Sequence, residues 1–389
     1  MDRKYPHRIT EIEPFRVMQL LARARELELE GKDVIHMEVG EPDFQTPSVI
    51  VEAGIAALKQ GKTKYTPAMG LPELRAGLSA HYASRYNLQV PASRIVITAG
   101  ASGALLLALT AILNHGEGLL MTDPGYPCYR HILTSLHGEA QLVPVSPDTR
   151  YQMTPEMIRN RTTERTRGVL LASPANPTGA VTGNDEMAAL ARETESASLW
   201  MLVDEIYQGL IYGSDQIVSA ACLGDHLFVI NSFSKYFGMT GWRLGWLVVP
   251  DSAVSLIEKL AQNLFICASS VAQEAALAAF TGPAIAEMEA NKCEFEKRRD
   301  FLIPELKKLG FDIPLEPEGA FYIYARLPDA APSAEAFCDL LLEKYHLSLT
   351  PGADFGKYQA DRYIRFSYAQ NIERLEEGIN RLARALSQL

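Results

Sequence analysis

The chain has 389 residues, 47% of them hydrophobic and 22% charged, which is the composition of a folded globular protein and not of a disordered one. Its 37 basic and 47 acidic side chains leave a net charge of −10, which argues against a general nucleic-acid binder, since phosphate contacts rest on clustered Lys and Arg. The most apolar helical stretch, residues 104 to 113, is about half the roughly 20 residues that cross a bilayer, so no membrane span is expected.

The first fifteen residues carry scattered charges and no apolar stretch of a secretory signal, which points to the cytoplasm. An amphipathic helix is expected from Phe15 to Glu30, followed by the loop Val39-Gly40-Glu41-Pro42-Asp43-Phe44. From about residue 94 to 250, β-branched runs alternate with helical patterns, the signature of an α/β fold with a mostly parallel sheet between helices. Seven strands are expected: 94 to 98, 118 to 122, 141 to 145, 168 to 172, 200 to 204, 227 to 231 and 244 to 249.

Near residue 282 the pattern changes to a long charged helix, 283 to 309, and two hairpin-like strands, 321 to 325 and 363 to 367, with helices between and after them. The division this suggests is an N-terminal arm (1 to 45), a large domain (46 to 282) and a smaller α+β domain (283 to 389), with the arm packing on the last. The five cysteines, at 128, 222, 267, 293 and 338, show neither C-x-x-C nor zinc spacing, so reduced thiols and no metal are expected.

Withdrawing a proton beside an amine requires an electron sink, and the protein's share of such a site is a lysine, a carboxylate and phosphate donors. Lys235 follows a strand in a loop rich in Ser and Gly, with Ser232 and Ser234 beside it and Arg243 eight positions on, able to fork onto a phosphate. Alone, a single lysine is far more often a surface charge than a catalytic group. Asp204 ends an apolar strand, where open α/β sheets place ligand-binding groups, and Tyr207 follows three residues later. A helix cap and a core aromatic describe that pair equally well.

The turn from Thr98 to Gly103 opens a helix whose first N–H groups suit a phosphate, although it has neither dinucleotide nor P-loop spacing. The segment from Ser173 to Gly179 offers the Asn176 amide, or is simply a Pro and Gly turn.

Together these segments resemble the fold type I enzymes that use pyridoxal 5'-phosphate (PLP), and more closely the class I/II aminotransferases that include aspartate aminotransferase. The similarity runs in order along the chain: residues 40 to 44 (GEPDF), 64 to 67 (KYTP), 70 to 75 (GLPELR), 123 to 127 (DPGYP), 176 to 179 (NPTG), 204 to 207 (DEIY), 232 to 243 around Lys235, 318 to 322 (EGAFY) and 365 to 367 (RFS). The resemblance implies a Schiff base on Lys235, Asp204 at the pyridine nitrogen, Asn176 and Tyr207 at O3' and Tyr126 stacked on the ring. It further implies phosphate contacts from Ala101, Ser102, Ser232, Ser234 and Arg243, with Tyr65 arriving from the second subunit of a homodimer.

Arg365 would take the substrate α-carboxylate, assisted by Asn176 and the Gly40 backbone, and Lys235 would then act as base. The implied reaction is ping-pong transfer of the α-amino group of an L-amino acid to a 2-oxo acid such as 2-oxoglutarate or pyruvate. No arginine matches one that would read a side-chain carboxylate, so a preference for aspartate has no support; Phe15, Val17 and Phe321 are candidates for the side-chain pocket.

Two departures stand out, Ala101 where many relatives differ and Tyr126 where some carry another aromatic, and neither bears on cofactor binding. The peptide bonds before Pro124 and Pro177 are expected to be cis. A β-lyase on the same scaffold would share anchor and sink. A non-catalytic PLP-binding regulator is disfavoured by the net charge and by the lack of a basic helix-turn-helix-like extension ahead of the aminotransferase region.

Overall fold

The structure, a computed structural model, describes residues 5–213 and 218–389. Its strands are, in chain order, β1 (Ile35–His36), β2 (Ile95–Thr98), β3 (Gly118–Asp123), β4 (Glu139–Pro144), β5 (Thr166–Ala172), β6 (Trp200–Asp204), β7 (Leu227–Ser232), β8 (Gly245–Val248), β9 (Tyr322–Arg326), β10 (Leu347–Ser348), β11 (Thr350–Pro351) and β12 (Tyr363–Ser367).

Seven of them form one sheet in the order β2-β8-β7-β6-β5-β3-β4, in which β8 alone runs against its neighbours. The strands read as unbroken apolar runs because both faces are covered. Val169, Leu171, Met201, Val203 and Val229 pack on one side, while Leu170, Leu202, Phe228 and Ile230 pack on the other against Ala104, Leu105 and Ala108 of the helix Gly100–Ile112. All seven strands fall where the sequence places them, with ends shifted by one or two residues.

The direction of β8 has a consequence for the site. The parallel strands end at one edge of the sheet, and an antiparallel strand begins there, so Arg243, just before β8, emerges beside Asp204 and Ser232, which close β6 and β7.

The long helix, Gly282–Lys308, begins one residue ahead of the expected position. β9 and β12 pair antiparallel from Tyr322↔Ser367 to Tyr363↔Arg326, with the helix expected between them at Ala334–Tyr345; β10 and β11 also lie in that connection, so the pair is no tight hairpin, and β11 adds to the far edge of β12. Cross-strand pairing was legible in their composition, while the long connection carries its own secondary structure.

The N-terminal helix Arg16–Leu29 packs Leu20, Ala24 and Leu27 against Leu342, and β1 pairs in parallel with β10. Two further contacts lock the carboxyl end of β3 to the segment that leads into β12. The Asp123 carboxylate accepts hydrogen bonds from the Lys357 and Tyr358 N–H groups at 3.1 and 3.2 Å. Gly356 passes so close that a Cβ there would fall 1.7 Å from Asp123 Oδ1.

Among the described residues three peptide bonds are cis, those before Pro124 and Pro177 as expected and also the bond before Pro174.

Candidate active site

A cavity of about 330 Å³ opens at the carboxyl edge of the seven-stranded sheet. Asp204, Lys235, Tyr207, Asn176, Arg243, Ser232, Ser234, Ala101, Ser102, Tyr126, Gly40 and Arg365 all line it, although they come from segments as far apart as residues 40 and 365. Tyr65 does not: its side chain is exposed on the surface, away from the cavity.

Asp204 is buried at the end of β6, where its carboxylate accepts from the Tyr129 hydroxyl at 2.6 Å and the Ile206 N–H at 3.0 Å. Burial raises its pKa to about 6, against the opposing pull of those two donors and of Lys235. A carboxylate held so strongly against ionisation is stabilised by any cation brought beside it.

The Lys235 ammonium donates to the Gly40 carbonyl at 2.5 Å, and no ion pair joins it to a described residue. Desolvation lowers its pKa to about 8, and the positive charges of Arg365 and Arg243 push in the same direction while Glu41 and Asp204 oppose. A lysine so placed is an amine close to its nucleophilic form at neutral pH.

Arg365, on β12, is buried, and its neighbours are neutral oxygens. Its guanidinium donates to Asn176 Oδ1 at 2.9 Å, to the Glu38 carbonyl and to Thr350 Oγ1 at 3.4 Å, and its Nε has no partner. The Tyr322 ring lies 4.3 Å beneath the guanidinium. A buried cation bound only to neutral groups is incompletely compensated, and an anion reaching it from the cavity would complete its shell.

Arg243 adopts φ +53 and donates from Nη1 to the Thr240 carbonyl at 3.2 Å. Its guanidinium lies against Gly100, whose φ is +70 and where a Cβ would come within 2.7 Å of Nη2. The glycine thus permits both the turn into the helix Gly100–Ile112 and the approach of the arginine to that helix start, where unpaired N–H groups and the positive end of the dipole already favour an anion. Ser232 and Ser234 are linked at 2.9 Å between hydroxyls on the same side. A phosphate monoester at the Arg243 end, a protonated ring nitrogen at Asp204 and an aldehyde at Lys235 fit this donor set, which is the functional-group pattern of PLP.

Tyr129, Tyr322 and the backbone of Glu38 belong to the site without having been singled out in the sequence. Tyr129 sits one helical turn from Tyr126 in the helix Pro127–Ser135, so the i, i+3 spacing was the available signal. Tyr322 hydrogen-bonds Tyr207 at 2.7 Å between hydroxyls and lines the cavity. Phe321, named as a pocket candidate, is a correction: neighbours in extended chain face opposite ways, and its ring stacks on Phe295 at 5.1 Å in the core, outside the cavity lining. Phe15 and Val17 do line the cavity, together with Met18, Val39 and Glu41.

A lysine facing a strand-end carboxylate at the carboxyl edge of an open α/β sheet defines a class, the fold type I PLP-dependent enzymes, and comparison with known proteins places the chain within it. The family described as aminotransferase class I and II matches residues 32–382, and this chain belongs to that family. A valine–pyruvate aminotransferase of Mycobacterium tuberculosis is 37% identical over 372 residues, 95% of this chain and 96% of its own. An aspartate aminotransferase of Bacillus subtilis is 32% identical over 98% of both chains. Among solved structures, an aminotransferase from M. tuberculosis agrees with a TM-score of 0.96 at 37% identity over 100% of both chains. The aspartate aminotransferase of Thermus thermophilus with maleate gives a TM-score of 0.93 at 32% identity, covering 99% of this chain and 100% of that one. The protein is therefore an aminotransferase, not a regulator that only binds.

Proposed function

We propose that this enzyme moves the α-amino group of an L-amino acid to a 2-oxo acid, with PLP held in the cavity by Lys235. The observation that carries the reading is that Lys235 and Arg365, two cations with no ion-pair partner among the described residues, face one cavity with Asp204 at its base. When bound, PLP supplies the electron sink that makes the substrate Cα–H acidic.

The chain's residues do the rest. Asp204, its own ionisation favoured by the positive charge, keeps the proton on the pyridine nitrogen. Tyr207 and the Asn176 amide donate to O3', and Tyr126 packs on the ring face. Arg243, Ser232, Ser234 and the N–H groups of Ala101 and Ser102 take the phosphate, with Tyr65 of a second subunit completing the shell in a homodimer.

Arg365 would bind the α-carboxylate through its fork, the Gly40 backbone and Asn176 would fix the substrate's orientation, and Lys235 Nζ, once free, would carry the proton from the substrate Cα to C4' of the cofactor. The same residues then run the second half with the oxo acid, which makes the kinetics ping-pong. The division of the chain at residues 45 and 282, and a cytoplasmic location, belong to the same reading.

The test is an assay of the PLP-loaded protein with an amino acid, with and without a 2-oxo acid acceptor. Sustained formation of the new amino acid only when acceptor is present is expected. Acceptor-independent release of pyruvate and ammonia from a cysteine conjugate as the dominant reaction would replace transamination with β-elimination.

A further inference from the structure

Two cations of the cavity rest on carbonyls two residues apart: Lys235 Nζ donates to Gly40 and Arg365 Nη2 to Glu38. Both carbonyls belong to the stretch in which the chain leaves β1 at His36, bends at Glu38 and reaches the cavity at Val39 and Gly40. The path is narrow, because a Cβ on Gly40 would fall 2.2 Å from the Tyr322 hydroxyl oxygen.

The side chain at the bend is a carboxylate that the proposed chemistry does not use. Glu38 is fully buried, and among the described residues its carboxylate has one partner, His36, whose Nδ1 donates to Oε1 at 2.8 Å across the bend; Oε2 has none. That hydrogen bond raises the His36 pKa to about 9 against desolvation, so at neutral pH the ring is charged and the pair is ionic. The other ring nitrogen faces Glu28 at 3.1 Å, on the helix Arg16–Leu29. Glu28 is exposed and adds little, whereas an enclosed carboxylate is costly unless its ionic partner stays in place. The pair therefore fixes the angle of the bend. A second subunit does not alter this, since nothing outside the protomer touches a side chain with no exposed surface.

Resting on the aminotransferase reading, we propose that Glu38 and His36 are positioning residues for the substrate α-carboxylate: their ion pair aims the Glu38 carbonyl that anchors the Arg365 guanidinium and the Gly40 backbone that borders the substrate. Thr350 Oγ1 donates to the same Glu38 carbonyl at 3.2 Å, so β11 and the bend close on Arg365 together. A guanidinium that shifts from this seat loses the alignment of its two parallel bonds to a carboxylate.

The PLP-loaded enzyme and its variants are assayed with whichever of the twenty standard amino acids the parent turns over fastest, with saturating pyruvate or 2-oxoglutarate. Glu38→Ala should raise the donor KM by about tenfold with kcat changed less than about threefold, the pattern of lost binding and not of lost chemistry. Glu38→Gln, which keeps a hydrogen bond to His36, should recover part of the loss. His36→Ala should repeat the effect of Glu38→Ala, and the two together should cost no more than either, because one tie is broken once. Glu28→Gln should match the parent, and PLP affinity, read by absorbance titration, should stay within about twofold in every variant. Residues that only support the fold would lower the unfolding midpoint and the amount of active enzyme but leave KM where it was.

A donor KM within about twofold of the parent in Glu38→Ala, or fully additive effects of the two alanines, would overturn the proposal. Should the alanine variants not fold, Glu38→Gln decides: a KM raised by about threefold supports the proposal and an unchanged one overturns it. A parent enzyme that transaminates no amino acid would strike the underlying reading instead.

Discussion

The two sides of the cavity are built differently. The cofactor side is a sheet edge: Asp204, Ser232 and Arg243 stand at the ends of adjacent strands of one sheet, and the strands behind them are buried on both faces. The substrate side gathers Phe15, Gly40, Asn176 and Arg365 from four distant segments, and Arg365 is held by oxygens of Glu38, Asn176 and Thr350, the last on β11. Position on a rigid sheet fixes the chemistry, and a surface assembled from separate segments can fix the choice of substrate, so damage to one side should spare the other.

The largest effect is expected at the covalent anchor. Lys235→Ala should lower turnover by more than about a thousandfold and remove the visible absorbance of the bound cofactor, because both the anchor and the base are lost. A variant that transaminates at the parental rate would end the assignment.

Arg365→Lys tests the opposite side. A single ammonium cannot reproduce a bidentate fork, so kcat/KM for the donor should fall by roughly 100-fold while PLP affinity, read by absorbance titration, stays within about twofold. Equal loss of PLP affinity would break the contrast between the two sides.

Gly100→Ala should do the reverse. It forces an alanine to φ +70 and sets a methyl against the Arg243 guanidinium, weakening PLP binding by about tenfold with roughly 1 kcal/mol of destabilisation, measured by denaturant unfolding, and little change in selectivity among donors.

The smallest effect concerns Lys235 in the cofactor-free protein. Its pKa is lowered from 10.5 to about 8, so between those values the unfolded chain binds more protons than the native one, and stability rises with pH through that window. Below about pH 8 both states are charged and the burial penalty is felt in full. Lys235→Met should flatten the slope of unfolding free energy between pH 8 and 10; an unchanged slope would mean that the lysine is not desolvated.

The same contrast explains what could be read from the sequence. Asp204, Lys235 and Arg243 each follow or precede a strong apolar run, and that run announces a strand end without any three-dimensional information. The pairing of Arg365 with Asn176 spans 189 residues, and no local pattern encodes it; resemblance to known motifs supplied it. Phe321 was mistaken for its neighbour because the run from Phe321 to Tyr324 is apolar at every position, so alternation gave no parity. Tyr129 escaped because its role depends on a hydroxyl reaching Asp204 across two elements, which composition does not reveal.

Gly356 shows what such a construction costs in mutational tolerance. It contributes no group to the reaction, yet even a methyl there meets the Asp123 carboxylate and would turn it off the Lys357 and Tyr358 N–H groups that tie the lead-in to β12 to the end of β3. In a library carrying every substitution at every position, replacements at residue 356 should be depleted although the residue offers no group to the reaction.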